Sequence, residues 1–250
     1  MALLSFRRVE KKYLVTEEQK RALLDILLQH MELDKFCVGE KTYKIQNVYY
    51  DTEDDLLIRK SLQKPIYKEK IRARKYTGMN NYFLEVKKKY NGVVGKRRIT
   101  LSKEELDDFV SKNIPPVREK FSEQQAVKEI GYVLKRYKLK PKVFLSYERL
   151  ALFDKNDKEL RITFDDKIHT NRTHPEFDRE DYERDLLPPG MYVLEIKYIN
   201  NYPLWLANAI NELKLRKKSF SKYGTEFKLY FDENKPININ RKDNTIEMED

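Results

Sequence analysis

Residues 68–76 read KEKIRARKY, with cations at four successive even positions: Lys68, Lys70, Arg72 and Arg74. Ile71 and Ala73 stand between the last three. In a strand, alternate side chains face the same way. A strand with this sequence therefore carries a file of positive charge on one face and apolar groups on the other. The pattern recurs along the chain. Glu85, Lys87 and Lys89 oppose Leu84 and Val86, and Lys96 shares a face with Arg98. Tyr147 goes with Arg149, and Arg161 with Thr163 and Asp165. Glu195 and Lys197 oppose Leu194 and Ile196, and Arg8, Glu10 and Lys12 fall together.

Two structures accommodate such strands. An antiparallel sheet with one solvated face shows the same alternation, and lysines on its edges deter edge pairing. Alternatively, the strands close into a barrel whose polar faces line a hydrophilic lumen. Arginine at several of these positions suits bidentate phosphate contact. The few carboxylates on the same faces suit a metal ion held among cations. Both features favour the lumen. Same-face residues lie about 6.7 Å apart, so Lys68 to Arg74 spans about 20 Å, enough for several linked phosphates.

The rest of the chain narrows the choice. At 250 residues it fits one large domain, with 12 Phe and 17 Tyr distributed through short alternating runs. Strands are predicted over 6–14, 43–51, 66–76, 82–90, 94–101, 142–153, 159–165, 191–199 and 226–231. Capping boxes at Thr16/Gln19, Ser102/Glu105 and Ser122/Gln125 open three helices. Pro203 suits the first turn of a fourth, PLWLANAINELK. Asn91-Gly92 is the turn of a hairpin. The prediction is α+β: a closed antiparallel β-barrel of about eight strands with flanking short helices. A single domain covers 1–232, and a polar, flexible tail covers 233–250.

The net charge of +10 favours a polyanionic partner. With seven glycines and no GxxxxGK[ST] motif, phosphate must be held by side chains rather than a glycine cradle. The one cysteine, Cys37, rules out an internal disulfide and a cysteine-based zinc cluster. His169 and His174 fall in a charged stretch, 169–190, and read as solvated loop histidines. The opening MALLSFRRVEKKY is charged too early for a signal peptide, and no apolar run reaches membrane-spanning length. A cytoplasmic protein is expected.

The segments FRRVEKKY, NVYYDT, IRKSLQKPIYKEKIRARKY, FLEVKKKY, VGKRRI, YERLALF, LRITFDD, VLEIKY and FSKYG stand in this order from about residue 6 to 224. In that order the chain resembles the polyphosphate polymerase domain of the vacuolar transporter chaperone (VTC) family, within the CYTH-like triphosphate tunnel metalloenzyme superfamily. The resemblance covers nearly the whole chain up to residue 231. It implies a tunnel-shaped barrel whose basic lumen binds ATP and inorganic polyphosphate, with pyrophosphate or triphosphate as related ligands.

Carried over by motif, Arg72, Arg74, Arg149 and Arg161 are the catalytic candidates. Lys12, Arg59, Lys87, Lys96, Ser221 and Lys222 are phosphate-binding, and Lys70 and Lys197 join them on the same faces. Glu195 is the expected ligand of a divalent metal, Mn²⁺ by preference or Mg²⁺, with Glu10 and Glu85 as further candidates. One departure is plain. Hydrolytic members of the superfamily often open with ExExK, whereas here Arg8 takes the first acidic position before Glu10 and Lys12. That weakens a second metal site and a water-activating role.

The resemblance implies phosphoryl transfer from ATP to a growing polyphosphate chain. The alternatives are a triphosphatase or polyphosphatase using the same tunnel, and a non-catalytic polyphosphate-binding module. Nucleic acid is not favoured, because the aromatic residues alternate as core positions and form no stacking platform. A membrane-protein partner, and a place at the inner face of a membrane, are carried as expectations.

Overall fold

The computed structural model describes residues 8–37, 39, 41–199, 201–231, 238–240 and 245–247. The chain begins with β1 (Arg8–Thr16), α1 (Glu17–His30), β2 (Met31–Leu33), β3 (Tyr43–Asp51) and α2 (Leu56–Leu62). A meander follows: β4 (Tyr67–Tyr76), β5 (Tyr82–Tyr90) and β6 (Val93–Leu101). Next come α3 (Lys103–Lys112), α4 (Phe121–Arg136), β7 (Lys140–Asp154), β8 (Arg161–Asn171) and β9 (Arg184–Asp185). The last long elements are β10 (Met191–Ile199), α5 (Leu204–Glu212) and α6 (Lys222–Phe231). Two short strands, β11 (Asn238–Asn240) and β12 (Thr245–Glu247), pair antiparallel. The remainder of the expected tail, 233–250, lies outside the described residues. The architecture is α+β with antiparallel strands, as expected. Among the described residues no helix is long and apolar enough to cross a membrane.

Local chemistry accounts for most boundaries. Thr16 accepts a hydrogen bond from Gln19 N while the Gln19 side chain accepts from Thr16 N, and Ser102 with Glu105 repeats the arrangement at α3. The β5–β6 turn is two residues long, closed by Tyr90 opposite Val93, with Asn91 at φ 43° and Gly92 at φ 85°. Positive φ at both central positions is what a tight hairpin turn demands, and Asn-Gly supplies it cheaply.

Four expectations need correction. Residues 226–231 are not a strand but the end of α6. Tyr223, Glu226 and Leu229 are buried at helical spacing, and the short alternation in FKLYF concealed that period. The expected Ser122 cap is absent: α4 starts at Phe121 after Lys120, with no side-chain cap. Pro203 is the N-cap of α5 rather than part of its first turn. The stretch 169–190 is not wholly loop, since β8 runs to Asn171 and pairs with β9. Besides α6, helix α2 was not foreseen. Its start is held from outside, because Asp51 accepts from the backbone N–H groups of Leu57 and Ile58 and Thr52 Oγ1 accepts from Leu56 N.

The chain divides into two compact units. The first comprises 1–43, 147–168 and 186–250, and the second 44–146 and 169–185. In the first, the strand order is β1-β10-β8-β7, with β2 beside β7. One sheet face there is apolar: Tyr13, Val15, Leu194, Ile196, Ile162 and Phe164 pack with Leu23 and Leu27 of α1 and Leu206 and Ile210 of α5. In the second unit the order is β7-β3-β4-β5-β6. Ile71, Ala73, Leu84, Val86 and Ile99 pack there against Leu106 and Phe109 of α3 and Ile130 and Val133 of α4. Each fully buried large side chain contributes about 1.5–3 kcal/mol. Each helix layer thus fixes which sheet face is core, and the alternating charged residues are left on the other face.

Candidate functional site

In the first unit the register sets the charges directly opposite one another. Glu10 lies across from Lys197 and Lys12 across from Glu195, while Glu195 faces Thr163 and Lys197 faces Arg161. Directly opposed residues share a face, so these side chains form a checkerboard on the side away from the core. The Lys12 ammonium lies 3.2 Å from Glu10 and 3.1 Å from Glu195, and it also donates to Phe220 O at 3.2 Å. The other Glu195 oxygen meets Lys197 Nζ at 2.5 Å. Arg149, from β7, grips Asp165 with two hydrogen bonds: Nε to Oδ1 at 2.6 Å and a terminal nitrogen to Oδ2 at 2.7 Å. Lys222, at the start of α6, donates to the same Oδ2 at 2.5 Å. Ser221 holds that helix start by accepting from Gly224 N at 3.1 Å. The Tyr147 ring lies under both cations, 4.4 Å from Lys222 Nζ and 5.2 Å from the Arg149 guanidinium. Arg161 stacks over Phe153 and reaches Asp34 at 3.6 Å.

Burial and neighbouring charge oppose each other here. Burial works to raise the carboxyl of Asp165, but Arg149 and Lys222 pull it to about 2. Glu195 is held well below the usual carboxylate range: burial opposes this, and Lys197, Lys12 and Arg149 outweigh it. Burial lowers Lys197, with Arg149 adding to the effect, whereas Glu195 and Glu10 overcome burial at Lys12 and raise it. Among the described residues, two buried polar atoms of this set, Arg161 Nε and Thr163 Oγ1, have no hydrogen-bond partner. Such atoms are rare in folded proteins and call for an explanation.

The second unit carries a more one-sided set. Glu85 is buried between strands, opposite Arg72 on one side and Arg98 on the other. Arg72 reaches Glu85 Oε2 at 2.8 Å through a terminal nitrogen, while Lys96 and Arg98 reach Oε1 at 2.6 and 3.0 Å. Arg74, only 7% exposed, donates from Nε to Asn47 Oδ1 at 3.0 Å. Tyr49 accepts from Arg72 at 3.1 Å, and the Tyr76 hydroxyl accepts from Arg74 at 3.5 Å and Arg98 at 3.3 Å. Burial raises Glu85, but Arg72, Arg74 and Lys96 drive it far below its ordinary value. Burial also raises Tyr76, and Arg74 and Arg98 reverse this, bringing the phenol down to about 8.

The sequence-predicted residues are thus partly gathered. Lys12, Arg149, Glu195, Lys197 and Lys222 belong to one set, with Glu10 and Arg161 beside them. Arg72, Arg74, Lys96 and Glu85 belong to the other. Lys70 and Lys87 lie directly opposite each other on the same face, one register step beyond Arg72 and Glu85. Arg59 is on α2, exposed and paired with Asp54. Sequence reading did not single out Asp165, Arg98, Asn47, Tyr49 or Tyr76 as site residues. Asp165 and Arg98 carry the right alternation, but only the strand register reveals that they anchor Arg149 and complete the ring around Glu85.

Among the described residues no three His, Cys, Asp or Glu side chains converge on a point, so an all-protein metal cage does not fit. Glu195 and Glu10 both reach the Lys12 ammonium. That pair fits the other common case, an ion carried mainly by phosphate oxygens and held by one or two carboxylates. Glu85 fits it less well, because three cations, Arg72, Lys96 and Arg98, share its oxygens where Glu195 meets two, Lys12 and Lys197.

A model of the VTC domain family matches residues 7–231. No curated protein matches the chain. Solved structures similar to it include a candidate adenylate cyclase from Bacillus halodurans, at 16% identity and TM-score 0.49, covering 86% of this chain and 93% of that one. A candidate adenylyl cyclase from Hippeastrum, described as having a dominant triphosphatase activity, is similar at 14% identity and TM-score 0.48, covering 87% and 93%. The PH1819 protein from Pyrococcus horikoshii OT3 is similar at 14% identity and TM-score 0.45, covering 89% and 99%.

Proposed function

The chain belongs to the VTC domain family, and on that premise we propose that it transfers the γ-phosphoryl group of ATP to the end of an inorganic polyphosphate chain. The observation that carries this reading is the imbalance around Glu85. Arg72, Arg74, Lys96 and Arg98 surround one buried carboxylate. Three of these cations, Arg72, Lys96 and Arg98, share the one Glu85 carboxylate, and Arg is the side chain suited to the fork of phosphate oxygens. The unpartnered Arg161 Nε and Thr163 Oγ1 support a polar ligand at the first set as well.

In the proposed reaction, a terminal oxygen of the polyphosphate attacks the γ-phosphorus. The bond to the β–γ bridging oxygen breaks, and ADP leaves with that oxygen. The attacking oxygen is already largely deprotonated near neutral pH, so no general base is required. The work is alignment and charge stabilisation. Arg72 and Arg74 in the second unit, and Arg149 and Arg161 in the first, each orient phosphate oxygens within their own set and offset charge on them. They need no reorganisation to do so, because Asn47, Glu85 and Asp165 already hold Arg74, Arg72 and Arg149 in place. Lys12, Lys96, Lys197 and Lys222 guide donor and product. A divalent ion bound with the nucleotide, Mn²⁺ or Mg²⁺, supplies Lewis-acid polarisation of the phosphoryl oxygens, and Glu195 with Glu10 would hold it.

The test is product analysis. The protein is incubated with ATP and Mn²⁺, and polymer is separated from orthophosphate by gel electrophoresis and ³¹P NMR. Polymer with ADP supports transfer. Orthophosphate as the sole new phosphate species replaces the reading with hydrolysis. Binding without turnover under any divalent ion leaves a sensor.

A further inference from the structure

Beyond Arg72, the charged residues on the same face of the β4–β5–β6 meander are all lysines, with Val94 of β6 opposite Lys89. Lys70 is directly opposite Lys87, and Lys87 is directly opposite Lys96. One step further, Lys68 is directly opposite Lys89. Like charges placed directly across a sheet destabilise it, and here they do so in two successive rows.

The carboxylates are sorted away from these rows. Glu69, the one acid in β4, points to the other face, where it is buried and held by the Tyr67 hydroxyl. Glu85 serves the Arg72 row and reaches Lys96. Among the described residues, Lys68, Lys87 and Lys89 have no carboxylate in ion-pair range. Burial lowers the Lys68 ammonium, and Lys89, Lys64 and Lys87 lower it further, as expected of amines crowded on one face. Lys68 donates to Ser61 O at 3.2 Å, which fixes its position without neutralising it.

We propose that Lys68, Lys87 and Lys89 form an outer subsite that holds further linked phosphates of a long polyphosphate, so that the protein selects by chain length. The Lys68–Lys89 row lies about 13 Å beyond the Arg72 row, two same-face steps along the strands, and Lys87 lies one step nearer. The proposal rests on the phosphate-binding reading above and extends it to residues outside the reacting centre. An inorganic polyanion fits this surface better than nucleic acid. At the level of Lys68 and Lys89 the aromatic side chains of these two strands, Tyr67 and Tyr90, are on the opposite face, so β4 and β5 offer no ring there for a base to stack on.

The test compares the full chain with its K68A/K89A variant, titrated calorimetrically with tripolyphosphate and with a polyphosphate several times longer. Comparing the two proteins cancels the larger number of registers open to a long chain. Wild type is expected to prefer the long chain. In the variant, long-chain affinity falls about tenfold, as for two surface charge contacts, while tripolyphosphate affinity stays within about twofold. The conservative K68R/K89R variant restores the preference. Removing the like-charge pair leaves the thermal midpoint unchanged or raised, which separates lost binding from lost folding. A variant that keeps the full long-chain preference overturns the outer subsite and leaves the central reading standing. Wild type that binds neither polyphosphate overturns both. An equal loss of affinity for a single-stranded oligonucleotide that wild type binds as tightly as polyphosphate overturns the ligand class.

Discussion

Asp165→Asn is the sharpest probe of the first charge set. Asp165 is fully buried, and its two oxygens accept both hydrogen bonds from Arg149 and one from Lys222. An amide of the same size keeps the shape and removes the charge. The carboxyl is drawn from its ordinary 3.8 to about 2, which corresponds to about 2 kcal/mol of stability at neutral pH. The substitution also strands Arg149, a buried guanidinium whose own pKa is raised by Asp165 against the effect of burial. Breaking one side of a buried pair costs about 3–5 kcal/mol, so a loss of about 3 kcal/mol at pH 7 is expected.

The pH dependence has a definite sign. The folded pKa is depressed, so this contribution is fully present above about pH 4 and disappears as the pH falls toward 2. Urea unfolding of wild type and variant, repeated from pH 7 to pH 2, isolates Asp165 from the other titrating carboxylates by difference. The gap between the two proteins should be about constant down to pH 4 and narrow below it. A gap under about 0.5 kcal/mol at pH 7, or one that does not narrow in acid, would refute the assignment of Asp165 as the anchor of Arg149.

Three further outcomes are expected. Arg74→Ala should lower turnover by about a hundredfold or more while circular dichroism shows a folded chain; kinetics close to wild type would remove Arg74 from the site. Polyphosphate affinity should weaken as pH rises through about 8, because a Tyr76 phenolate offsets the charge of Arg74 and Arg98. Tyr76→Phe should flatten that limb, and an unchanged profile would assign it to another group. Chelating divalent ions should abolish turnover but leave polyphosphate binding largely intact, since the arginines and lysines remain; loss of both together would make the metal part of the binding site.

Much of this was legible in the chain because period-two alternation is a local property. The parity of Arg72, Arg74, Lys87, Arg149 and Glu195 can be read without knowing what each strand pairs with. Capping boxes at Thr16 and Ser102 are equally local, and both are present in the fold. What the alternation could not give was register. Asp165 is an acid among cations until β8 and β7 bring Arg149 to it, and Arg98 gains its role only by lying across from Glu85. The α6 segment misled for the opposite reason: FKLYF alternates over five residues, too few to compete with the buried Tyr223, Glu226 and Leu229 spacing. Helix α2 was hidden because Asp51 and Thr52 cap it from the preceding strand and turn, outside any short helical motif.

The claim beneath all of this is that the off-core cations exist to hold phosphate. A crystal structure of the protein soaked with polyphosphate addresses it most directly. The account predicts phosphate oxygens within hydrogen-bond distance of Arg72 and Arg74 in one set and of Arg149 and Lys12 in the other. Polyphosphate ordered only on outward lysines of the helices, with both sets untouched, would contradict it.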